Sequence, residues 1–189
     1  MTQQGKNAID LVLAESLIEL SAKKPIDKIT IKEITDKAGV IRPTFYNHFQ
    51  DKYELIEWII KTELLEPIKP LLNAGMIFEA IVLMLNNISA NSVFYKKALK
   101  LEGAVTFNHI AMKCVCEMFM NIISEKSTGK KSKYRWLTPE VISTYYAQSL
   151  CFITEGWIAQ GMDDIEPKEM AEAYMYLITR SMDDILSEL

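Results

Sequence analysis

The side chains best suited to chemistry lie close together, between positions 30 and 52 of the sequence. They combine guanidinium, imidazole and ammonium groups with hydroxyl and amide groups, and they are Thr30, Arg42, Thr44, Tyr46, Asn47, His48 and Lys52. Such groups hydrogen-bond to phosphate oxygens and base edges, so the segment is suited to nucleic-acid contact. Each residue taken alone also has a structural interpretation, since aromatic side chains at helical spacing usually pack in a core.

Catalytic and metal-binding patterns are missing from the sequence. The two histidines, His48 and His109, are far apart, and no nucleophile motif, Gly-rich phosphate loop or metal-ligand cluster accompanies them. The three cysteines form no CxxC pair, which argues against a zinc site or a disulfide framework. We therefore expect no enzymatic activity, no metal site and no cofactor.

Two short helices and a tight turn are predicted to position these side chains. Thr30 and Glu33 form a capping box, so a helix should run from residue 31 to about 37. Gly39 suits the left-handed conformation that ends a helix, and Pro43 is tolerated only in the first turn of the next one. The second helix should therefore begin near Ile41 or Arg42. Two such helices around a glycine turn are a helix-turn-helix.

The rest of the chain is also predicted to be helical. An amphipathic helix precedes the motif, from Asn7 to about Ala22, and Asp51 should cap a fourth helix that ends near Leu65, before the boundary segment "EPIKPLLNAG". Further helices are expected at about 76–90, 92–102, 104–126, 139–160 and 167–187. The prediction is an all-α fold with a three-helix helix-turn-helix head over residues 1–52 and a helical body over 53–189.

Composition and charge agree with a cytoplasmic, helical protein that binds nucleic acid. The chain has 189 residues with only 7 Gly and 6 Pro, which favours long helices. Its uncharged run from Val141 to Thr154 is too short to span a membrane, and its N-terminus lacks the pattern of a secretion signal. Residues 1–53 carry a net charge of +1 and the remainder −5. A slightly basic head on an acidic body is compatible with DNA binding.

The segment from Thr30 to Leu55 resembles the tetracycline-repressor (TetR) family of transcription regulators. The matching residues are "T-IKEIT-KAGV--PTFYNHF-DKYEL". The segment "TFYNHFQDKYELIEWI", together with the later segment "GWIAQGM", is similar to regulators of dihydroxyacetone-kinase operons. The resemblance implies a helix-turn-helix that reads DNA and a two-fold dimer. Ile41 departs from the Ser or Thr that many members carry at the start of the recognition helix, and it could instead touch a thymine methyl group.

Roles in DNA contact follow from the chemistry of each side chain. Arg42 is the best candidate for reading a base, because a guanidinium can bond guanine O6 and N7 together. Thr44, Tyr46, Asn47 and His48 suit phosphate or base contacts, Lys52 suits a phosphate beside the start of the fourth helix, and Thr30 could serve as both cap and phosphate ligand. A two-fold dimer would place two recognition helices about 34–36 Å apart, on a palindromic operator in double-stranded DNA.

The body is predicted to form the dimer and to sense a small-molecule effector. Its last two long helices should supply a homodimer interface, which would include Val141, Tyr145, Ile153, Trp157, Tyr174 and Ile178. Large and adaptable side chains suit an apolar effector pocket, although a plain core fits them equally well: Phe78, Phe94, His109, Met112, Cys116, Trp136 and Tyr146. We expect a repressor relieved by its effector; the alternative is a co-activator that acts with a partner protein.

Overall fold

The computed structural model describes residues 3–126 and 132–188, and across these ranges the chain is helical and contains no strand. This confirms the predicted all-α class. The helices are α1 (Gln3–Ser21), α2 (Ile31–Ala38), α3 (Arg42–Tyr46), α4 (Lys52–Ile59), α5 (Glu66–Asn73), α6 (Ile77–Ala90), α7 (Ser92–Ala98), α8 (Phe107–Lys126), α9 (Pro139–Ala159), α10 (Pro167–Thr179) and α11 (Met182–Glu188). A 3₁₀ turn at Ile26–Lys28 precedes α2, and a π-helical segment at Ile60–Leu65 joins α4 to α5.

Local sequence signals fix both ends of α2. The Thr30 hydroxyl accepts a hydrogen bond from the Glu33 amide at 3.3 Å, and the Glu33 carboxylate accepts one from the Thr30 amide at 2.9 Å. Gly39 ends the helix with φ of 69°, and its N–H donates to the carbonyl oxygens of Asp36 and Thr35. An L-residue with a side chain rarely adopts this φ, which explains why a glycine makes the turn.

The head, formed by α1, α2 and α3, is built around two buried phenylalanines. Phe45 and Phe49 lie against each other with ring centroids 5.8 Å apart, and Trp58 of α4 meets Phe49 edge-on. Leu13 and Leu17 of α1 are fully buried in the same core. These aromatic and leucine contacts hold the short helix α3 in place with its opposite face outward.

The helix that starts at Lys52 does not end near Leu65 as predicted, and "EPIKPLLNAG" is not a break before the body. The chain continues through the π-helical segment into α5, which ends at Asn73. Pro67 has no N–H to donate to the carbonyl of Glu63 four residues earlier. The side-chain amide of Asn87 on α6 donates to that carbonyl instead, at 2.9 Å. A contact distant in sequence therefore stabilises a helix that its prolines would be expected to stop.

The body packs α8 along α9, and α6 against both α5 and α10. Three of its predicted helix boundaries were wrong. Helix α7 ends at Ala98 rather than near 102, and α8 begins at Phe107 rather than near 104. The last predicted helix is two helices, because the Ser181 hydroxyl accepts a bond from the Asp184 amide and caps a new helix, α11.

No single helix in the described ranges is long and apolar enough to cross a membrane; only α6 and α7 taken together, with a bend of 88° between them, pass the test of length and composition.

Candidate nucleic-acid interface

The outward face of α3 and its flanking residues form an exposed edge. Ile41 is 69% exposed and Tyr46 51% exposed, and Arg42 and Asn47 are also on the surface. The Arg42 guanidinium reaches the Tyr46 hydroxyl one turn later, at 3.5 Å. We call Ile41, Arg42, Tyr46 and Asn47 the reading edge. Thr44 is half-buried beside them. That these five residues contact DNA stays a prediction.

Arg42 differs from most other cations of the head in having no acidic partner among the described residues. Lys24 pairs with Glu33, Lys32 with Asp36 and Lys37 with Glu19. These pairs neutralise cations around α2, and the Lys24 ammonium together with the Thr30 cap lowers the pKa of Glu33 to about 2. The guanidinium at the reading edge is therefore a local positive charge that no carboxylate in the described part of the chain pairs with.

His48 does not lie on the reading edge, and the prediction of a DNA contact for its side chain was wrong. The side chain is only 2% exposed, and its Nδ1 lies 2.6 Å from a carboxylate oxygen of Asp10 on α1. Asp10 is itself buried. The pair joins α1 to the chain just after α3, so it holds the reading edge against the first helix and leaves no room for a phosphate.

A sequence signal for this pair existed. Asp10 precedes Leu13, Ala14 and Leu17 by three, four and seven residues, and all three are buried. Asp10 therefore shares the buried face of α1, although its charge made it look like a solvent-facing residue. A carboxylate on an apolar face needs a partner inside the fold. The sequence alone does not identify that partner, which lies 38 positions away.

Lys52 also has a structural role where a phosphate contact was predicted. Its ammonium donates to the carbonyl oxygens of Ile26, Asp27 and Ile29 at 3.0, 2.7 and 3.1 Å. These bonds tie the start of α4 to the 3₁₀ turn before α2, and they use all three N–H donors of the ammonium. Desolvation by burial lowers its pKa, and the Asp27 carboxylate opposes that effect. These bonds argue against the predicted phosphate contact, which stays untested.

Thr30 keeps the capping role that was predicted for it. Its hydroxyl both accepts from the Glu33 amide and donates to the Glu33 carboxylate at 2.8 Å. Both hydroxyl functions are thus used inside the capping box. A phosphate contact of this hydroxyl would have to replace one of them, and it stays a prediction.

The predicted effector-pocket residues are not brought together in one cavity. Tyr146 lines an apolar cleft of about 400 Å³ between α5, α6, α8, α9 and α10. Trp136 is exposed in the segment before α9, and Phe94 is buried against Tyr95 in the core. His109 is exposed and borders a polar groove beside the head rather than the apolar cleft. Phe78, Met112 and Cys116 are half-buried.

A second, smaller cavity lies between the π-helical segment and α8. It has a volume of about 40 Å³ and is lined by apolar side chains together with Thr154 and Glu155. The Thr154 hydroxyl is buried without a hydrogen-bond partner. Burial raises the pKa of Glu155, although a bond from the Asn108 amide at 2.7 Å opposes the shift. Sequence reasoning missed both polar groups, since Thr and Glu near the end of a helix are commonplace.

The helices α9 and α10 keep a smaller apolar surface than predicted, and two predicted dimer residues belong to the core of the protomer. The Trp157 indole N–H donates to the Ile165 carbonyl at 2.9 Å, and the buried Tyr174 hydroxyl meets Ser149 at 3.1 Å. Val141, Ile153 and Ile178 are half-buried. Tyr145 is exposed, as a dimer contact requires, and so are Leu177 and Phe152, the latter at 77%.

Comparison with known proteins places this geometry in a family. The model of bacterial regulatory proteins of the tetR family matches residues 15–59, and the model of a transcriptional regulator C-terminal region, TetR_C_8, matches residues 76–180. The HTH-type dhaKLM operon transcriptional activator DhaS of Lactococcus lactis subsp. lactis (strain IL1403) is 27% identical over 152 residues, which is 79% of each chain.

Solved structures agree with this assignment at the level of the fold. The dihydroxyacetone kinase operon activator DhaS superposes with a TM-score of 0.63 at 22% identity, over 90% of this chain and 93% of the other. NalD, the secondary repressor of the MexAB-OprM multidrug efflux pump in Pseudomonas aeruginosa, superposes with a TM-score of 0.59 at 12% identity, over 92% and 96%. The helix-turn-helix, the helical body and the two family models lead to one conclusion: the chain belongs to the tetR family of transcription regulators.

Proposed function

We propose that the protein is a homodimeric, sequence-specific regulator that binds a palindromic operator in double-stranded DNA, with residues 1–52 as its DNA-binding domain and 53–189 as its sensing and dimerisation domain. It acts in the cytoplasm as a repressor that a small-molecule effector releases. The observation that carries the proposal is the reading edge. Four side chains that suit base and phosphate contact are exposed on one short helix, while its other face is held by Phe45 and Phe49.

The dimer is needed for affinity. Four of the eight Lys and Arg residues of the head pair with carboxylates, and Lys52 bonds backbone carbonyls, so a single head offers few free charges to the phosphates and would bind weakly. Two heads on one operator add their contacts. Tyr145, Phe152 and Leu177 are exposed apolar residues on α9 and α10, and these helices can form a four-helix bundle with the same pair of a second copy.

The apolar cleft of about 400 Å³ between five body helices is the proposed effector site. Its volume falls within the range of small-molecule sites, which is about 300–1,000 Å³. The cleft has mostly apolar walls, with Ser143, Tyr146, Tyr174 and Thr179 as polar groups. A bound effector would shift the population of body conformations and, through the fourth helix, the spacing of the two heads.

A co-activator that works with a partner protein is the second candidate. One observation favours it: the small cavity beside the π-helical segment is only about 40 Å³, which holds no more than about one water molecule. A protein partner on the surface of the body would need no internal cavity. A partner that copurifies with the protein at equal stoichiometry would support this candidate over a small effector.

The proposal is tested at Arg42. We expect Arg42→Ala to weaken binding to DNA from upstream of the protein's own gene by about 1–3 kcal/mol and to relax specificity at one base pair. Arg180→Ala is the matched control, because it removes the same charge from an exposed site at the end of α10. Fluorescence anisotropy at fixed salt concentration measures both. Equal affinities for wild type and Arg42→Ala would refute the assignment of the reading edge.

A further inference from the structure

A network of four charged side chains joins α4 to α8 at the base of the head. The Glu57 carboxylate of α4 accepts bonds from Lys61 and from Lys113 of α8, each at 2.7 Å. Lys61 also pairs with Glu117 of α8 at 2.7 Å. Two bridges therefore cross between the helices, and both depend on groups within one turn of Glu57.

Glu57 is the centre of this network. Its side chain is only 19% exposed, whereas that of Lys113 is 51% exposed. The bonds from Lys113 and Lys61 lower the pKa of Glu57 although burial alone would raise it. The backbone of the same residue is also held, since the Cys114 thiol lies 3.9 Å from the Glu57 carbonyl oxygen. Side chain and backbone of one residue thus fix α4 onto α8.

The position of the network along α4 decides what it can control. Towards the N-terminus, Asp51 caps α4 at the edge of the head. Trp58, the residue after Glu57, packs on Phe49 beneath the reading edge. Towards the C-terminus, the π-helical segment begins at Ile60, three residues after Glu57. A π-helical turn has weaker regular bonding than an α-helix and is a place where a helix can bend. Glu57 therefore lies between this segment and the head, and its partner Lys61 belongs to the segment itself.

The small cavity lies between the same two helices. Ile60 and Leu64 line it from the π-helical segment, and Ala111 and Val115 line it from α8. On α8, Lys113 lies between these two residues in sequence, and Glu117 follows Val115 by two positions. The ion pairs and the cavity therefore lie on neighbouring faces of one helix pair. A change that enlarges the cavity by moving the π-helical segment away from α8 would strain both ion pairs.

We propose that Glu57 is a positioning residue for operator binding, which holds the head at the DNA-competent angle by fixing α4 to α8 through Lys61 and Lys113. The inference rests on the proposed function. Glu57 does not touch DNA; it acts through the orientation of the reading edge. The free energy of such coupling between distant sites is about 0.5–2 kcal/mol, which corresponds to a change of about 2- to 30-fold in affinity.

Glu57→Gln tests this proposal because it keeps the shape of the side chain and removes its charge. The orientation of the head is measured as the distance between two spin labels in one protomer, attached through unnatural amino acids at the exposed positions Glu15 of α1 and Glu169 of α10. Labelled protein is diluted with unlabelled protein so that each distance is measured within a single chain. Glu172→Gln is the matched control, because it breaks the exposed Lys168–Glu172 pair of α10 by the same chemical change.

We expect Glu57→Gln to broaden or shift the distance distribution and to lower operator affinity by about 2- to 30-fold. Lys113→Gln should do the same, and the double variant should add little, since both substitutions break one bridge. Glu172→Gln should leave both measurements unchanged. A distance distribution of Glu57→Gln that coincides with that of wild type would overturn the inference. A wild-type protein that ignores its operator would refute the proposed function instead, while the distances would still test the role of Glu57 in orientation.

Discussion

The bonds of Lys52 lead to a prediction that separates a structural role from a DNA contact. Lys52→Met keeps most of the aliphatic chain and removes the ammonium that donates to Ile26, Asp27 and Ile29. A hydrogen bond from a charged group contributes about 1.5–3 kcal/mol when it is well buried. Asp27 is exposed although Ile26 and Ile29 are buried, so water can replace the ammonium at the Asp27 carbonyl in the variant. We therefore expect a total loss of about 2 kcal/mol rather than the sum of three buried bonds.

The assay has two readouts. For a chain of this size, about 2 kcal/mol corresponds to a fall of about 4–8 °C in Tm, measured at fixed protein concentration because the protein is expected to dimerise. The salt dependence of operator binding should keep its slope, since no phosphate contact is lost. Lys28→Met is the control: this lysine lies in the same 3₁₀ turn, and its ammonium is mostly exposed and paired only with the adjacent Asp27.

The opposite pair of results would show that Lys52 contacts DNA. If Lys52 bonds a phosphate, Lys52→Met should reduce the salt slope by about one unit and leave Tm near that of wild type. That pair of results would show that the ammonium leaves the three carbonyls when DNA binds. It would refute the structural role derived from the distances.

Three further predictions concern the buried pair, the dimer face and the thiols. Asp10→Ala and His48→Ala should each lower the free energy of unfolding by about 3 kcal/mol, because either substitution breaks the same buried pair. The double variant should therefore lose much less than the sum of the two losses. Urea unfolding measures these free energies, and additive losses would contradict the prediction. Phe152→Glu should raise the dissociation constant of the dimer more than tenfold in sedimentation equilibrium without lowering protomer stability. The control Leu186→Glu, on the exposed helix α11, should leave this dissociation constant unchanged. An unchanged dissociation constant for Phe152→Glu would exclude Phe152 from the interface. Burial raises the pKa values of Cys114 and Cys151 to about 12, so at pH 8 native protein should be alkylated first at the half-buried Cys116; rapid modification of the other two thiols would disprove their burial.

The helix-turn-helix could be predicted from the sequence because each of its signals is local. Thr30 and Glu33 are three residues apart and bond each other, and Gly39 and Pro43 act through their own backbone geometry. Such features need no knowledge of the tertiary fold. The all-α class followed for the same reason, from short-range periodicity and the scarcity of helix breakers.

The roles of His48, Lys52 and Trp157 depend on contacts that sequence spacing does not reveal. His48 bonds a carboxylate 38 residues away, Lys52 bonds backbone carbonyls that every residue type possesses, and the Trp157 indole bonds the carbonyl of Ile165. A backbone acceptor leaves no mark on the sequence. The continuation of the helix past Pro67 was hidden in the same way, since it depends on Asn87 from another helix.

The π-helical segment at Ile60–Leu65 has a consequence for related chains. A π turn accommodates one more residue than the α-helical turn it replaces, and each residue of an α-helix advances the chain by about 100° around the axis. Deleting one residue here would turn everything before it by roughly that angle, and so would swing each recognition helix away from its groove. Insertions and deletions should therefore be tolerated in the surface loops of such regulators but selected against within this stretch, where chain length itself sets the register on the operator.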